Sequence, residues 1–320
     1  MSGRPVALIG AAILVLAALG AVFAPALTWH DPHEQFAGYP YAPPMRPHLF
    51  DDRWTPHRPF VYPLHLADRL ERRYIEDRTR LIPLGASSRE PVFLLGTDAL
   101  GRDVWSRLLH GARASLGIAL AATLGALLVG TLAGAIAGYA GGLADEAAMR
   151  LADLVLVLPA IYVVLALRAV MPLVLAPAEV FAGLSLVLAL AGWPLVARGV
   201  RAIVAAERRS QYAEAARAAG ATPARVIVRH VLPAARGFIA TQAALLVPAF
   251  VLAEATLSYV GFGFAEPVPS WGTMLQEAGS GRAFGEFPWL LAPAIAIAIV
   301  SLAVSIAVSG TYDRRRHVQF

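Results

Sequence analysis

EAARAAGATPARVIVRHVLP, residues Glu214 to Pro233, lies between apolar runs long enough to cross a bilayer, yet it carries Arg217, Arg225 and Arg229 and breaks at Gly220. The preceding AERRSQYAEAARAAG is a strong helix former. Gly220 suits the left-handed position that ends a helix. Thr222 and Pro223 read as the N-cap and first residue of a second helix, expected to stop before Pro233. Glu214, Arg217 and Ala218 fall on one helical face, while Ala215, Ala216 and Ala219 leave a slim surface that permits close approach of another backbone. Three roles stand open on these residues alone. The helix could lie on anionic lipid, enter the groove of a partner, or read DNA, the last disfavoured by tethering between two spans.

Outward from this stretch the chain is greasy. It is 58% hydrophobic and 15% charged, against about 45–50% and 25% in soluble domains. Six runs approach the ~20 residues a membrane helix needs: Val6 to Leu27, Ala114 to Tyr139, Leu151 to Met171, Ala178 to Ala197, Phe238 to Val260 and Pro288 to Ser309. The first is expected to be a retained span, because its apolar core exceeds the ~7–15 residues of a signal peptide, although Ala24-Pro25-Ala26 resembles a cleavage site. There is no cysteine, which excludes disulfides and thiolate chemistry. All 27 basic residues are arginine, and without lysine the chain holds no P-loop. Any ATP used must therefore be hydrolysed by another subunit. The net charge of +5 says less than its distribution.

Eight arginines against Glu207 and Glu214 between Arg198 and Arg236, followed by Arg314, Arg315 and Arg316, mark the cytoplasmic side. The loops 172–177 and 261–287 hold only Arg282. Both termini then face the cytoplasm and residues 28–113 lie outside. The front of that segment (YPYAPPMRP, RPFVYP) reads as irregular, and LHLADRLERRYIEDRTR, with Leu66, Leu70 and Tyr74 at helical spacing, predicts one short surface helix.

Other polar stretches border the spans. In LLGTDALGRDVWSRLLHGARASL, Leu94 to Leu116, Gly96-Thr97-Asp98 predicts a turn with a capping carboxylate. Asp103, Ser106, Arg107 and His110 predict a polar stripe on an entry helix at the outer surface. Between Ala137 and Ala160, a glycine turn precedes an amphipathic entry in which Arg150 and Asp153 are spaced to pair at i,i+3. Glu254 lies roughly 9 Å inside the fifth span at 1.5 Å per residue, where a charge faces the bundle or a wet cavity. It can bind a peptide amino terminus, pair with an arginine or sit protonated. Trp271, in PVPSWG, suits an interfacial anchor, and Arg168 is expected to snorkel. His30 and His33 make no convincing metal site, and no serine triad has a recognisable context.

Glu214-Ala215-Ala216, Gly220, His230 and Leu232-Pro233 resemble the EAA loop of binding-protein-dependent ABC importer permeases. His230 departs from the isoleucine of the general pattern and is similar to the RH-x-LP of the peptide branch. The resemblance implies that Glu214, Ala215, Ala216, Gly220, Leu232 and Pro233 form a cytoplasmic coupling helix docked in a cleft of an ATPase subunit. The stretch Gly96 to Ser115 resembles the GTD-x-x-GRD-x-x-SR pattern of C-type dipeptide, oligopeptide and nickel permeases. Pro267, Pro269, Trp271, Gly272, Met274 and Leu275 resemble the family's outer loop, which implies contact with a binding protein through Pro267, Pro269 and Trp271. Residues 45–93 are an extra outer segment relative to many such permeases.

The expected fold is an all-α polytopic membrane protein, a type I ABC importer transmembrane domain with six transmembrane helices and an extended extracytoplasmic segment between the first two. Its parts are residues 1–27, 28–113, 114–312 with the loop 198–236, and a tail 313–320. The resemblance implies a bacterial inner-membrane permease for di- or oligopeptides. It implies as partners a second permease, two ATPase subunits that bind ATP and magnesium, a substrate-binding protein and lipids, with no cofactor in this chain and no nucleic acid. Nickel or another small solute is the competing cargo. A membrane-embedded hydrolase using Ser185 or Ser258 is the rival of another class.

Overall fold

The computed structural model describes residues 4–68, 72–84, 90–158, 162, 175–279 and 285–316. The chain divides into two compact units. One comprises residues Met1–Ala11, Gly117–Glu254 and Ser301–Phe320, the other Ala12–Leu116 and Ala255–Val300.

Most described elements are helices. In chain order they are α1 (Arg4–Val22), α2 (Ala24–Leu27), α3 (Val104–Ala140), α4 (Gly142–Val157), α5 (Pro177–Glu207), α6 (Gln211–Ala218), α7 (Pro223–Val226), α8 (Arg236–Tyr259), α9 (Trp271–Ala278) and α10 (Ala292–Arg316). Among the described residues, four helical stretches are long and apolar enough to cross a membrane: Val104–Ala140, Pro177–Glu207, Pro223–Tyr259 and Pro288–Ala307. Val6–Val22 is apolar but shorter. Of the third expected span only Leu151–Val157, within α4, and the single residue Tyr162 are described as helix; Arg168 lies outside the described residues.

In the first unit, α3 and α5 approach backbone to backbone along Gly130, Gly134 and Gly138. A Cβ at Gly130 would stand 2.7 Å from the Trp193 carbonyl, and one at Gly138 would stand 2.6 Å from that of Arg201. One at Gly134 would strike the Ala197 carbonyl. Glycine every fourth residue removes side chains from one face, which allows this contact. Beside it, α4 packs on α5 through Ala152, Trp193 and Ala197. The expected Arg150–Asp153 pair does not form. Arg150 instead pairs with Glu146 one turn back, and Asp153 meets Arg198 of α5. Neighbouring helices offered guanidiniums that local spacing could not reveal.

The second helix of the opening stretch does not stop before Pro233. After α7, residues Ile227–Val231 form a π-helical turn and Leu232–Ala235 a 3-10 turn, and the chain then runs on as α8. Proline lacks an N–H and its ring crowds the carbonyl four residues back. A wide turn followed by a tight one removes that clash without ending the helix. Consistent with this, the Leu232 N–H reaches back to the Ile227 carbonyl.

The second unit corrects the all-α expectation. Strands β1 (His48–Phe50), β2 (Pro56–Val61) and β5 (Ile82–Pro83) form an antiparallel sheet, while β3 (Leu64–Asp68) and β4 (Arg73–Glu76) form a separate ladder. The expected surface helix is thus a pair of strands. Leu66 lies directly opposite Tyr74 across the ladder, so residues eight apart meet by pairing instead of by helical winding. The alternation of buried Leu64, exposed His65 and half-buried Leu66 is the strand period. The two ladders share a core of Ala42, Met45, Val61, Leu64, Ile82, Val92 and Phe93, against which Phe36, Tyr39 and Tyr74 pack.

Candidate functional site

The stretch that opened the sequence forms a helix-turn-helix in the first unit. Ser210, with extended backbone, starts α6, its carbonyl accepting from the N–H groups of Ala213 and Glu214 at 3.0 Å each. At the other end the Gly220 N–H donates to the Arg217 carbonyl at 2.9 Å, and the Ala221 N–H donates to that of Ala216 at 3.0 Å. This is the Schellman arrangement, and it requires a left-handed residue. Gly220 supplies it at φ +82°. Thr222 then caps α7, its hydroxyl accepting from the Arg225 N–H, with Pro223 at the first position.

Only one side of α6 is buried. Ala213 is fully covered, whereas Glu214, Ala215, Ala218, Ala219 and Gly220 are exposed and Ala216 is half-buried. Among the described residues, Glu214 has no ion-pair partner. A Cβ at Gly220 would meet nothing within 4 Å, so that glycine answers to backbone conformation and not to crowding. Leu232 and Pro233 are half-buried at the change of helical pitch, where Arg236 Nε donates to the Pro233 carbonyl at 3.1 Å. The arrangement presents an exposed knob of small residues with a carboxylate that has no ion-pair partner among the described residues.

The ends of neighbouring helices are tied to this knob. Arg217 Nη2 donates to the Arg208 carbonyl at 2.9 Å, and Arg208 Nη1 donates to the Tyr139 carbonyl at 2.8 Å. Tyr212 donates its hydroxyl proton to Glu207. Arg201 grips Asp145 of α4 through Nε at 2.8 and 3.1 Å and also through Nη2. The hydrogen bond from Arg201 holds the Asp145 carboxyl below its ordinary range, with the charges of Arg201 and Arg208 adding to it against a smaller opposing effect of burial.

In the second unit, the two further motifs pack on each other. Ser270 caps α9, exchanging hydrogen bonds with Thr273. Trp271 is buried, its N–H donating to Ser115 Oγ and its indole Nε1–H to the Leu108 carbonyl, both at 3.0 Å. Pro269 is buried too, and Pro267 is exposed. Behind them three members of the stripe expected at the surface are interior: Asp103, Ser106 and Arg107 are at most 1% exposed, while His110 is half-buried. Asp98 accepts from Arg102 Nε at 2.7 Å and from Arg107; Arg102 reaches Glu266 at 2.5 Å; and Arg107 forks onto Glu277 at 2.5 and 2.7 Å. Burial raises the Glu277 carboxyl. Burial pushes Glu266 the same way, but hydrogen bonds with Glu277 and Arg102 and the arginine charges outweigh it. Asp98 caps its own turn as expected, accepting from the N–H groups of Leu100 at 2.8 Å and Arg102 at 3.0 Å, while Asp103 caps α3, accepting from those of Trp105 and Ser106.

Residues 130–316 match the family described as binding-protein-dependent transport system inner membrane component, and residues 2–44 match the N-terminal TM domain of oligopeptide transport permease C. The chain belongs to the binding-protein-dependent permease family. The Di/tripeptide transport system permease protein DppC of Pseudomonas aeruginosa is 32% identical to this permease over 309 residues, covering 96% of this chain and 86% of that protein. The Oligopeptide transport system permease protein OppC of Bacillus subtilis is 31% identical over 219 residues, 68% of this chain and 69% of that one. Among solved structures, an inward-facing conformation of the MetNI methionine ABC transporter aligns with a TM-score of 0.47 and 18% identity, over 63% of this chain and 95% of that chain.

Glu254 of the permease is fully buried within α8. His30 is half-buried with Nε2 at 3.1 Å from the backbone of Val92, and burial lowers its pKa. His33 contacts the Pro267 carbonyl at 3.0 Å. No cluster of metal-ligating side chains occurs among the described residues. Sequence reasoning missed the glycine stripe on α3, although G-x-x-x-G-x-x-x-G from Gly130 to Gly138 was its signal. It also missed the Arg201–Asp145 and Arg107–Glu277 pairs, separated by 56 and 170 residues, for which no local signal exists.

Proposed function

We propose that this permease forms half of the translocation pathway of an ATP-driven importer for di- or oligopeptides. The observation that carries the reading is the knob on α6: exposed small residues, a Glu214 without an ion-pair partner among the described residues, and a Gly220 with open space around it. Such a surface has the shape and chemistry of a part inserted into a partner's cleft. ATP and magnesium belong to that partner, because a chain without lysine lacks the phosphate-binding lysine of a P-loop. The permease makes and breaks no covalent bond itself. Peptide cargo is supported by the relatives, which are named as oligopeptide and di/tripeptide permeases.

In this reading Glu214, Ala215, Ala216 and Gly220 meet one of two ATPase subunits, and Leu232-Pro233 sets the angle at which the loop joins α8. Six spans form a type I importer domain, with both termini and the loop 198–236 in the cytoplasm; the arginine asymmetry supports that orientation. Residues 28–113 and 261–287 face outward towards a substrate-binding protein. Pro267 offers surface there, while the buried Trp271 and Pro269 shape the loop. A second permease completes the pathway, for which Glu254, buried within α8, is the candidate polar residue of this chain.

Copurification from native membranes is the test. A second permease and an ATPase should accompany this chain, and reporters fused at Arg209 and Asp68 should read cytoplasm and exterior. Recovery without an ATPase, or the reverse topology, overturns the reading.

A further inference from the structure

Arg208 joins three chain segments at one point. Its carbonyl receives the Arg217 guanidinium of α6 at 2.9 Å, and its own guanidinium donates to the Tyr139 carbonyl, in the last turn of α3, at 2.8 Å. A helix C-terminus leaves carbonyls without intrahelical partners and carries the negative end of the dipole, so a cation there is favourably placed. The next turn makes room for it. A Cβ at Gly141, where φ is +69°, would stand 3.0 Å from Arg208 Nη1. Further back on α5, Arg201 forks onto Asp145 in the first turn of α4. The end of α3 and the start of α4 are therefore both held by guanidiniums from the end of α5, from which α6 hangs. The adjacent Arg209 is exposed, and its side chain has no hydrogen bond or ion pair among the described residues.

We propose that Arg208 is the positioning residue through which displacement of α6 reaches the end of α3. Coupling is carried by chains of packed side chains, hydrogen bonds and rigid elements that join the two places. Arg208 meets that condition with one contact on each side: if α6 is drawn by a partner, the Arg208 carbonyl moves with it, and the same residue's guanidinium pulls Tyr139. The Arg201–Asp145 fork brings α4 along. This inference rests on reading 214–233 as the coupling loop.

The test uses the transporter purified with its partner subunits and reconstituted in liposomes. The chain has no cysteine, so with the partner subunits made cysteine-free, spin labels at Gln211→Cys and Leu143→Cys report on α6 and on the α3–α4 turn of this subunit alone. With Arg208 present, the distance between labels should stay constant between the nucleotide-free and ATP-trapped states. With Arg208→Gln it should change, by on the order of 5 Å, the scale of a one-turn shift. ATP hydrolysis in that variant should persist while uptake of a labelled tripeptide pool falls about tenfold, within the usual range of coupling factors. Arg208→Lys should recover most of the uptake, and Arg209→Gln, an equal loss of charge, should behave as wild type. An unchanged label distance in Arg208→Gln, a parallel loss of hydrolysis and uptake, or the same phenotype from Arg209→Gln overturns the proposal. Glu214→Arg separates the two levels. If it uncouples while Arg208→Gln does not, the loop reading stands and the Arg208 assignment fails; if Glu214→Arg couples normally, the loop reading itself fails.

Discussion

Arg107 and Glu277, 170 residues apart, meet through two hydrogen bonds of 2.5 and 2.7 Å, with the Arg107 side chain 1% exposed. The same guanidinium also contacts Asp98. Removing one partner of a buried pair strands the other charge, which costs about 3–5 kcal/mol. Arg107→Ala should therefore lower stability by that order. Arg107→Lys should recover only part of it, because an ammonium cannot fork onto a carboxylate. Unfolding of the detergent-solubilised protein, followed by tryptophan fluorescence, measures both; wild-type stability in Arg107→Ala would show the network to be dispensable.

Asp103 gives a pH dependence of defined sign. Burial raises its pKa to about 7, with nearby Asp98 adding to the rise and the N–H groups of Trp105 and Ser106 opposing it. The folded protein then keeps a proton that the unfolded chain has lost, so this group's contribution to stability falls as pH rises from about 4 to about 7 and is flat above. Asp103→Asn keeps one of the two capping bonds through its Oδ1 and removes the titration. Its unfolding midpoint between pH 4 and 7 should be flatter than that of the wild type, and equal slopes would locate the effect elsewhere.

Gly134 has no room for a side chain. A Cβ there would collide with the Ala197 carbonyl and stand 3.0 Å from both the Arg201 nitrogen and Val200 Cβ. Gly134→Val should cost about 1–3 kcal/mol by overpacking. Gly38→Ala, where a Cβ meets nothing within 4 Å, should change stability by less than about 0.5 kcal/mol. Thermal unfolding of the two variants side by side decides it.

Gly220 is constrained in the opposite way, by φ and not by space. Gly220→Asn should be tolerated, because asparagine enters the left-handed region readily. Gly220→Val should distort the Schellman turn, at a cost of about 1–3 kcal/mol for strained backbone, and raise the ATP hydrolysed per molecule imported. Equal coupling ratios in the two variants would remove Gly220 from the coupling loop.

Glu254→Gln keeps the shape of a fully buried side chain while removing its carboxyl. If Glu254 lines the pathway, uptake should fall at least severalfold at unchanged membrane abundance. A fall in abundance alone would make the residue structural.

The helical part of this fold was largely legible, because a bilayer demands long apolar runs and internally satisfied backbone. Val104–Ala140 and Pro177–Glu207 enclose the expected second and fourth spans. The loop was legible for a related reason: Gly220, Thr222 and Pro223 act on their own backbone, so their spacing fixes the cap and the N-terminus they form. The segment from Leu64 to Glu76 was misread because Leu66 and Tyr74 satisfy helical spacing and hairpin pairing equally well. Pro233 misled in another way, since a π turn followed by a 3-10 turn carries the helix through it.

Taken by itself, the sequence determined the membrane class, the break at Gly220 and the lack of a lysine for a P-loop, each of which follows from local composition or backbone chemistry. Tertiary structure alone decided which charges are interior. Asp103 and Arg107 stand on a stripe that helical spacing assigns to a surface, and only the arrival of Glu266 and Glu277 from a distant stretch makes it a buried network. It likewise decided that Arg208 would reach Tyr139. A charge is placed by what surrounds it in space, and chain separation carries no record of that.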